Sequence, residues 1–149
     1  MNRNRIVRVL AGSAALTALV AAAIAWSSAT ADEAQPPAPS RLCVVWSSAD
    51  VGVAKNVCFM YTHNAKKQGW FDEVYLVVWG PSAKLLAENQ ELQAEVKAMQ
   101  TDGVVTEACV ACARRYEVDD DLQELDVQVY GMGKPLSQRL QGDWEVITF

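Results

Sequence analysis

Two unbroken apolar runs decide the fold, LCVVW at residues 42–46 and VYLVVW at residues 74–79. Each run ends in turn-forming residues, SSAD at 47–50 and GPS at 80–82. Strands without polar alternation are typical of a parallel sheet whose two faces are both covered. Between the runs, residues 53–68 carry apolar side chains at helical spacing and are followed by a glycine, which predicts a strand–helix–strand unit.

The rest of the chain continues the alternation of helices and strands. A helical pattern over residues 81–99 is interrupted near Asn89. Shorter helices are predicted at residues 109–116, 119–125 and 135–140, and further strands at 104–107, 127–130 and 144–149. The pattern therefore predicts an α/β fold, a three-layer α/β/α sandwich around a mostly parallel sheet of about five strands.

The amino-terminal segment has the pattern of a secretory signal peptide. Arg3, Arg5 and Arg8 precede an uncharged apolar run at residues 9–26, and Ala29-Thr30-Ala31 matches an A-x-A cleavage site. An uncleaved membrane anchor is the alternative, because the run is about as long as a short spanning helix. Cleavage after this site predicts a periplasmic or otherwise exported protein, with the membrane as a partner only if the segment is retained.

Removal of residues 1–31 leaves 118 of the 149 residues, enough for one domain with a core of its own. Residues 32–40 are rich in proline and predict a linker, so the folded domain is expected at residues 41–149. The three arginines of the leader are its charged residues, and the remainder has 10 Lys and Arg against 18 Asp and Glu, a net charge of −8. This balance argues against nucleic acid as a partner.

Four cysteines divide into two kinds. Cys43 lies in an apolar strand and Cys58 in a helical pattern, and both are predicted to fill the core. Cys109-Val-Ala-Cys112 instead follows a predicted strand and opens a helix. Residues three apart on a helix are neighbours at about 5–6 Å, within reach of a disulfide, and free N–H groups at a helix start favour a thiolate. The spacing indicates a reactive thiol pair.

The carboxyl ends of parallel strands meet at one edge of the sheet, where ligands bind in open α/β folds. The lone histidine, His63, cannot complete a Cys/His zinc set, and no nucleotide-binding glycine motif is present, so neither a metal nor a cofactor is predicted. The residues expected to line a substrate site at this edge are Trp46, Ser47, Ser48, Trp79, Gly80, Ser82, Met132 and Gly133.

The segment CVACARR at residues 109–115 resembles the DsrE/DsrF-like family of small sulfur-relay proteins, which includes the TusD type. The resemblance extends over about residues 41–149 and implies an α/β sandwich that usually assembles into homo- or hetero-oligomers. Its other matching segments are WSS at 46–48, WGPSAKLL at 79–86, GKPL at 133–136 and WEVITF at 144–149.

In this resemblance, Cys109 corresponds to the cysteine that holds sulfur as a persulfide, and Arg114 and Arg115 occupy the position of a basic pair. The leading hypothesis is a sulfur carrier, or sulfurtransferase-like protein, of the cell envelope, with Cys112 as a resolving thiol. Its partners would be a sulfur-donor or acceptor protein or a small sulfane-sulfur compound. The tryptophan-rich edge favours a homo-oligomer.

Two other classes of function stay open. The same Cys109 and Cys112 pair suits a thiol–disulfide redox protein or redox sensor in an oxidising compartment. A non-enzymatic protein is the third class, either a soft-metal binder that uses Cys109, Cys112 and Met132 or an oligomeric scaffold with a packed cysteine pair.

Overall fold

A computed structural model describes residues 40–149. The predicted signal segment and the linker up to residue 39 lie outside the described residues. Between residues 40 and 149, no helix is both long and apolar enough to cross a membrane.

Five strands and six helical segments alternate along the domain. The strands are β1 (Arg41–Trp46), β2 (Glu73–Val78), β3 (Val105–Cys109), β4 (Gln128–Tyr130) and β5 (Glu145–Thr148). Helix α1 is continuous through Val51–Val53, the π-helical Ala54–Phe59 and Met60–Lys67. The other helices are α2 (Ser82–Glu88), α3 (Gln90–Thr101), α4 (Val110–Tyr116), α5 (Asp119–Glu124) and α6 (Gly133–Gln141).

All strand pairs are parallel, in the order β4-β3-β2-β1-β5. The first three crossovers each step to the neighbouring strand in one direction, whereas the crossover from β4 to β5 returns to the opposite edge. Because parallel crossovers are right-handed, the two directions place their helices on opposite faces of the sheet. Helices α1 to α5 therefore share one face, α6 covers the other, and the predicted α/β/α class is confirmed.

The face under α1 to α5 carries the larger core. Leu42, Val44 and Trp46 of β1 point into it and are at most 2 % exposed. The Trp46 ring packs edge-on against Phe59 of α1 with the ring centroids 4.8 Å apart. Burial of such side chains stabilises the domain by about 1.5–3 kcal/mol each, so this face supplies most of the apolar stabilisation.

The face under α6 carries a smaller core. Cys43 and Val45 of β1, Val77 of β2, Cys109 of β3 and Met132 are buried together there. Aromatic side chains of this face, including Trp79, Tyr130 and Trp144, are partly exposed and surround that cluster. One helix therefore leaves this face less completely covered than the other.

The predicted elements are all present, with shifts at their ends. The predicted break near Asn89 separates α2 from α3, because the Asn89 side chain accepts a hydrogen bond from the Leu92 N–H at 3.1 Å and caps α3. Strand β3 continues to Cys109, beyond the predicted residues 104–107, because Cys109 is extended and pairs with Tyr130. Helix α6 begins at Gly133, two residues before the predicted Pro135.

A buried ion pair holds α6 to the sheet. The Arg139 guanidinium of α6 donates to both oxygens of the Glu107 carboxylate on β3, at 2.6 and 2.9 Å. The two residues are 8 % and 3 % exposed. Burial alone would lower the pKa of Arg139, but the Glu107 carboxylate more than offsets this and keeps the guanidinium protonated.

Aromatic side chains complete the surroundings of this pair. The guanidinium carbon of Arg139 lies 4.6 Å from the Tyr75 ring centroid and 5.0 Å from that of Trp144. The Tyr130 hydroxyl donates to Glu107 Oε1 at 2.6 Å. Burial, followed by this hydrogen bond, raises the pKa of Tyr130 to about 12. The second face is thus organised by one charge pair and three aromatic rings.

We expect Glu107→Gln to destabilise the domain by about 3–5 kcal/mol, because it leaves a buried guanidinium without its counter-charge. The matched control is Glu73→Gln, which removes the partly exposed pair with Arg41 at 3.6 Å and should cost at most about 1 kcal/mol. Urea unfolding monitored by circular dichroism measures both. Equal losses in the two variants would show that the buried pair does not hold this face together.

Candidate functional site: a thiol pair at the end of strand β3

Cys109 is placed by the junction between β3 and α4. It is the last residue of β3 and the N-cap of α4, with extended backbone angles of φ −72° and ψ 112°. Its side chain lies on the second face, is 6 % exposed, and packs in the cluster that contains Val45, Val77 and Met132. The thiol makes no capping hydrogen bond to α4. Cys109 is therefore a free thiol in an apolar enclosure.

Cys112 lies in the first turn of α4 and packs against the same cluster, but it is only half-buried. Both cysteines are free thiols. Burial raises the pKa of Cys112 above its ordinary value, and Cys109 raises it further as a hydrogen-bond partner and as a charge. The two thiols therefore lie in one cluster and influence each other's ionisation.

Gly80 contributes a backbone group to this pair. A backbone hydrogen bond from Gly80 lowers the pKa of Cys112 and partly opposes the effect of burial. Gly80 has φ +73°, in the left-handed region where side chains are strained. The turn after β2 therefore favours glycine at position 80.

Of the residues expected at the carboxyl edge, the structure places Trp79, Gly80 and Met132 near the thiol pair. Trp79 is partly buried against the cluster, and Met132 is 1 % exposed within it. Gly133 is exposed and is the first residue of α6. Trp79 and Met132 therefore lie with the thiols in the cluster under α6, whereas no contact places Gly133 beside them.

Trp46 and Ser82 do not line the site. The Trp46 side chain points into the core of the opposite face, as described above, so it cannot shield either thiol. The Ser82 hydroxyl is buried and donates to the Trp46 carbonyl at 2.6 Å, while it accepts from the Trp79 N–H at 3.1 Å. Its hydrogen bonds join the ends of β1 and β2, which is a structural role.

Ser47 and Ser48 also make local contacts. The Ser47 hydroxyl donates to the Phe149 carbonyl at 3.0 Å, and the Ser48 hydroxyl accepts from the Asp50 N–H at 3.0 Å. Asp50 in turn caps α1 through the Val53 N–H at 2.8 Å. These serines stabilise the turn after β1.

The two arginines after the thiols differ in what they contact. Both are exposed on α4. Arg114 lies 4.0 Å from Asp119, whereas the charge of Arg115 acts on Cys112 and lowers its pKa slightly against the larger effect of burial. Arg115 is therefore the member of the basic pair that is electrostatically linked to a thiol.

The other two cysteines are buried, as predicted. Burial raises the pKa of Cys58 to about 12, so it remains a neutral core thiol. Burial also raises the pKa of Cys43, although Arg139 Nη1 lies 3.8 Å from its sulfur and opposes the shift. Cys43 thus belongs to the network that anchors α6.

Glu107, Tyr130 and Arg139 belong to no recognised motif, yet they border the site. Glu107 is two residues before Cys109 on the same face of β3, and Tyr130 pairs with Cys109 across β3 and β4. A carboxylate within a short predicted strand is the sequence signal that could have drawn attention to this network.

Among residues 40–149, no group of three or more His, Cys, Asp and Glu side chains could hold a metal ion. His63 instead contacts Asp102, with 2.6 Å between Nε2 and Oδ2. Met132 lies with the two cysteines in one cluster, so the soft-metal hypothesis depends on these three sulfur atoms alone.

Residues 13–149 match the model of the DsrE/DsrF-like family, and the chain belongs to this family of sulfur-relay proteins. A conserved protein of unknown function from Bacteroides thetaiotaomicron has a similar structure, with a TM-score of 0.71 and 28 % identity over 74 % of this chain and 95 % of that one. The YchN protein of Escherichia coli shares the fold at a TM-score of 0.57 and 14 % identity, over 74 % of this chain and 99 % of that one. The comparison with curated proteins finds no match.

We expect Gly80→Ala to slow alkylation of Cys112 at a fixed pH near neutrality. A side chain in the left-handed region costs about 1–2 kcal/mol, and relaxation of the turn withdraws the backbone donor that stabilises the thiolate. Gly69→Ala is the matched control, because Gly69 also has a positive φ and open space for a Cβ atom. Equal alkylation rates in the two variants, measured by peptide mass spectrometry, would contradict a role for the Gly80 backbone.

We expect Cys109→Ala to move the alkylation midpoint of Cys112 to lower pH. The Cys109 thiol raises the pKa of Cys112, so its removal makes the thiolate form at lower pH. A pH series of iodoacetamide labelling, quantified for the Cys112 peptide, measures the midpoint. An unchanged midpoint would show that the two thiols do not interact.

Proposed function

We propose that this protein is a sulfur carrier that holds sulfane sulfur as a persulfide on Cys109. The observation that carries the proposal is the pair of free thiols at the end of β3, one enclosed by apolar side chains and the other half-buried beside it. Membership of a sulfur-relay family supports the same chemistry.

The loading reaction is a nucleophilic substitution at sulfur. The Cys109 thiolate attacks the outer sulfur of a small persulfide, the sulfur–sulfur bond of the donor breaks, and the donor leaves as a thiolate. The product is a Cys109 persulfide, with no net oxidation. The side chains of Val45, Val77 and Met132 restrict access to Cys109 and so protect the product from other thiols.

Other features support a location and an assembly for the carrier. The leader with Arg3, Arg5 and Arg8, and the site Ala29-Thr30-Ala31, support a carrier exported to the cell envelope. A homo-oligomer is supported by the partly exposed aromatic residues of the second face and by Leu140 of α6, which is 64 % exposed.

A second candidate function is thiol–disulfide exchange between Cys109 and Cys112. The proximity of the two thiols favours it, since a persulfide on Cys109 is converted to a disulfide when Cys112 attacks its inner sulfur and sulfide leaves. Sulfur loading would then be transient, and the disulfide would be the stable oxidised form.

We expect the reduced protein to gain one sulfur atom, about 32 Da, after incubation with glutathione persulfide. Cys109→Ser should abolish the gain. The matched control is Cys58→Ala, which alters a buried thiol in the core on the other face of the sheet and should load like the wild type. Intact mass and cyanide-releasable sulfur measure loading. Loading of Cys109→Ser to the wild-type level would refute the assignment of the carrier to Cys109.

A further inference from the structure

The two thiols of the pair differ in their access to solvent. Cys109 is 6 % exposed and is enclosed by the apolar cluster under α6, whereas Cys112 is half-buried, with exposed Ala111 beside it. A small molecule can approach a thiol that is largely enclosed. A cysteine on the surface of a folded partner protein must contact the thiol directly. The more exposed Cys112 is therefore better placed than Cys109 to react with it.

Polar groups are also unevenly distributed between the thiols. Burial raises the pKa of Cys112 overall, and the Gly80 backbone and the Arg115 charge oppose that rise. Cys109, in contrast, makes no capping hydrogen bond. A sulfur anion on Cys112 would therefore have a hydrogen-bond donor and a nearby cation during exchange with a partner.

We propose that Cys109 stores the sulfur and that Cys112 exchanges it with thiols of partner proteins. This division of roles rests on the proposed function and adds an internal transfer to it. The exposed thiol of the pair is the docking point for a protein thiol, and the enclosed thiol holds the sulfur between encounters.

The internal transfer balances without an oxidant or reductant. The Cys112 thiolate attacks the outer sulfur of the Cys109 persulfide, the bond from Cys109 Sγ to that sulfur breaks, and a bond from Cys112 Sγ to it forms. Cys109 leaves as a thiolate and takes up the proton that Cys112 releases. The partner thiolate then attacks the same outer sulfur, gains the persulfide, and leaves Cys112 as a thiolate.

The experiment compares wild type with Cys112→Ser after both are loaded on Cys109 with glutathione persulfide. The acceptors are the free thiol of serum albumin and, as the small control, 2-mercaptoethanol. We expect both proteins to release sulfur to 2-mercaptoethanol at similar rates, and Cys112→Ser to transfer to albumin about tenfold or more slowly than wild type.

Transfer to albumin at the wild-type rate by Cys112→Ser would overturn the proposal, because Cys109 would then deliver sulfur directly. Release of free sulfide with a Cys109–Cys112 disulfide, in place of labelled albumin, would overturn it as well and would support thiol–disulfide exchange. Failure of wild type and Cys112→Ser alike to load Cys109 would refute the proposed function and this division of roles together.

The difference in solvent access between Cys109 and Cys112 is also testable in the reduced protein, without loading sulfane sulfur. Each thiol of the reduced wild-type protein is labelled with N-ethylmaleimide and with a polyethylene glycol maleimide, and the ratio of the two rates cancels differences in nucleophilicity. We expect the bulky reagent to be disfavoured about tenfold more at Cys109 than at Cys112. Equal ratios would contradict the proposal.

Discussion

The right-handedness of parallel crossovers is the constraint on which the rest of this structure depends. Because strands β1 to β4 are added in one direction, their connecting helices must lie on one face of the sheet. The long return to β5 places α6 alone on the other face. That face is held by the buried pair of Glu107 and Arg139, and it is also the face on which Cys109 lies.

This arrangement explains how a thiol at a strand end becomes enclosed. Helix α6 follows Met132 directly, and Met132 packs in the cluster that contains Cys109. The ion pair fixes α6 against β3, two residues from Cys109 along the strand. Stability and site geometry therefore depend on the same few contacts. The second thiol, Cys112, packs against the same cluster but is only half-buried, and this partial exposure distinguishes its chemistry from that of Cys109.

Much of the fold follows from local sequence, because apolar runs, the cap at Asn89 and the strand–helix alternation are all local signals. The position of the Cys109 and Cys112 pair at a strand–helix junction is predictable for the same reason. The role of Trp46 is not predictable, since β1 is buried on both faces and its pattern does not reveal which face a side chain joins. The role of Ser82 is not predictable either, because its hydroxyl bonds to a carbonyl 36 residues away. Arg139 meets Glu107 from 32 residues away, a pairing that only the return crossover creates.

The central claim is that Cys109 holds sulfane sulfur in the cell, and the intact mass of the protein isolated from its native host without reductant tests it most directly. The claim predicts a population that is heavier by one sulfur atom, about 32 Da, with the added sulfur on the peptide that contains Cys109. A uniform population lighter by about 2 Da than the reduced chain, with a disulfide between Cys109 and Cys112, would contradict it.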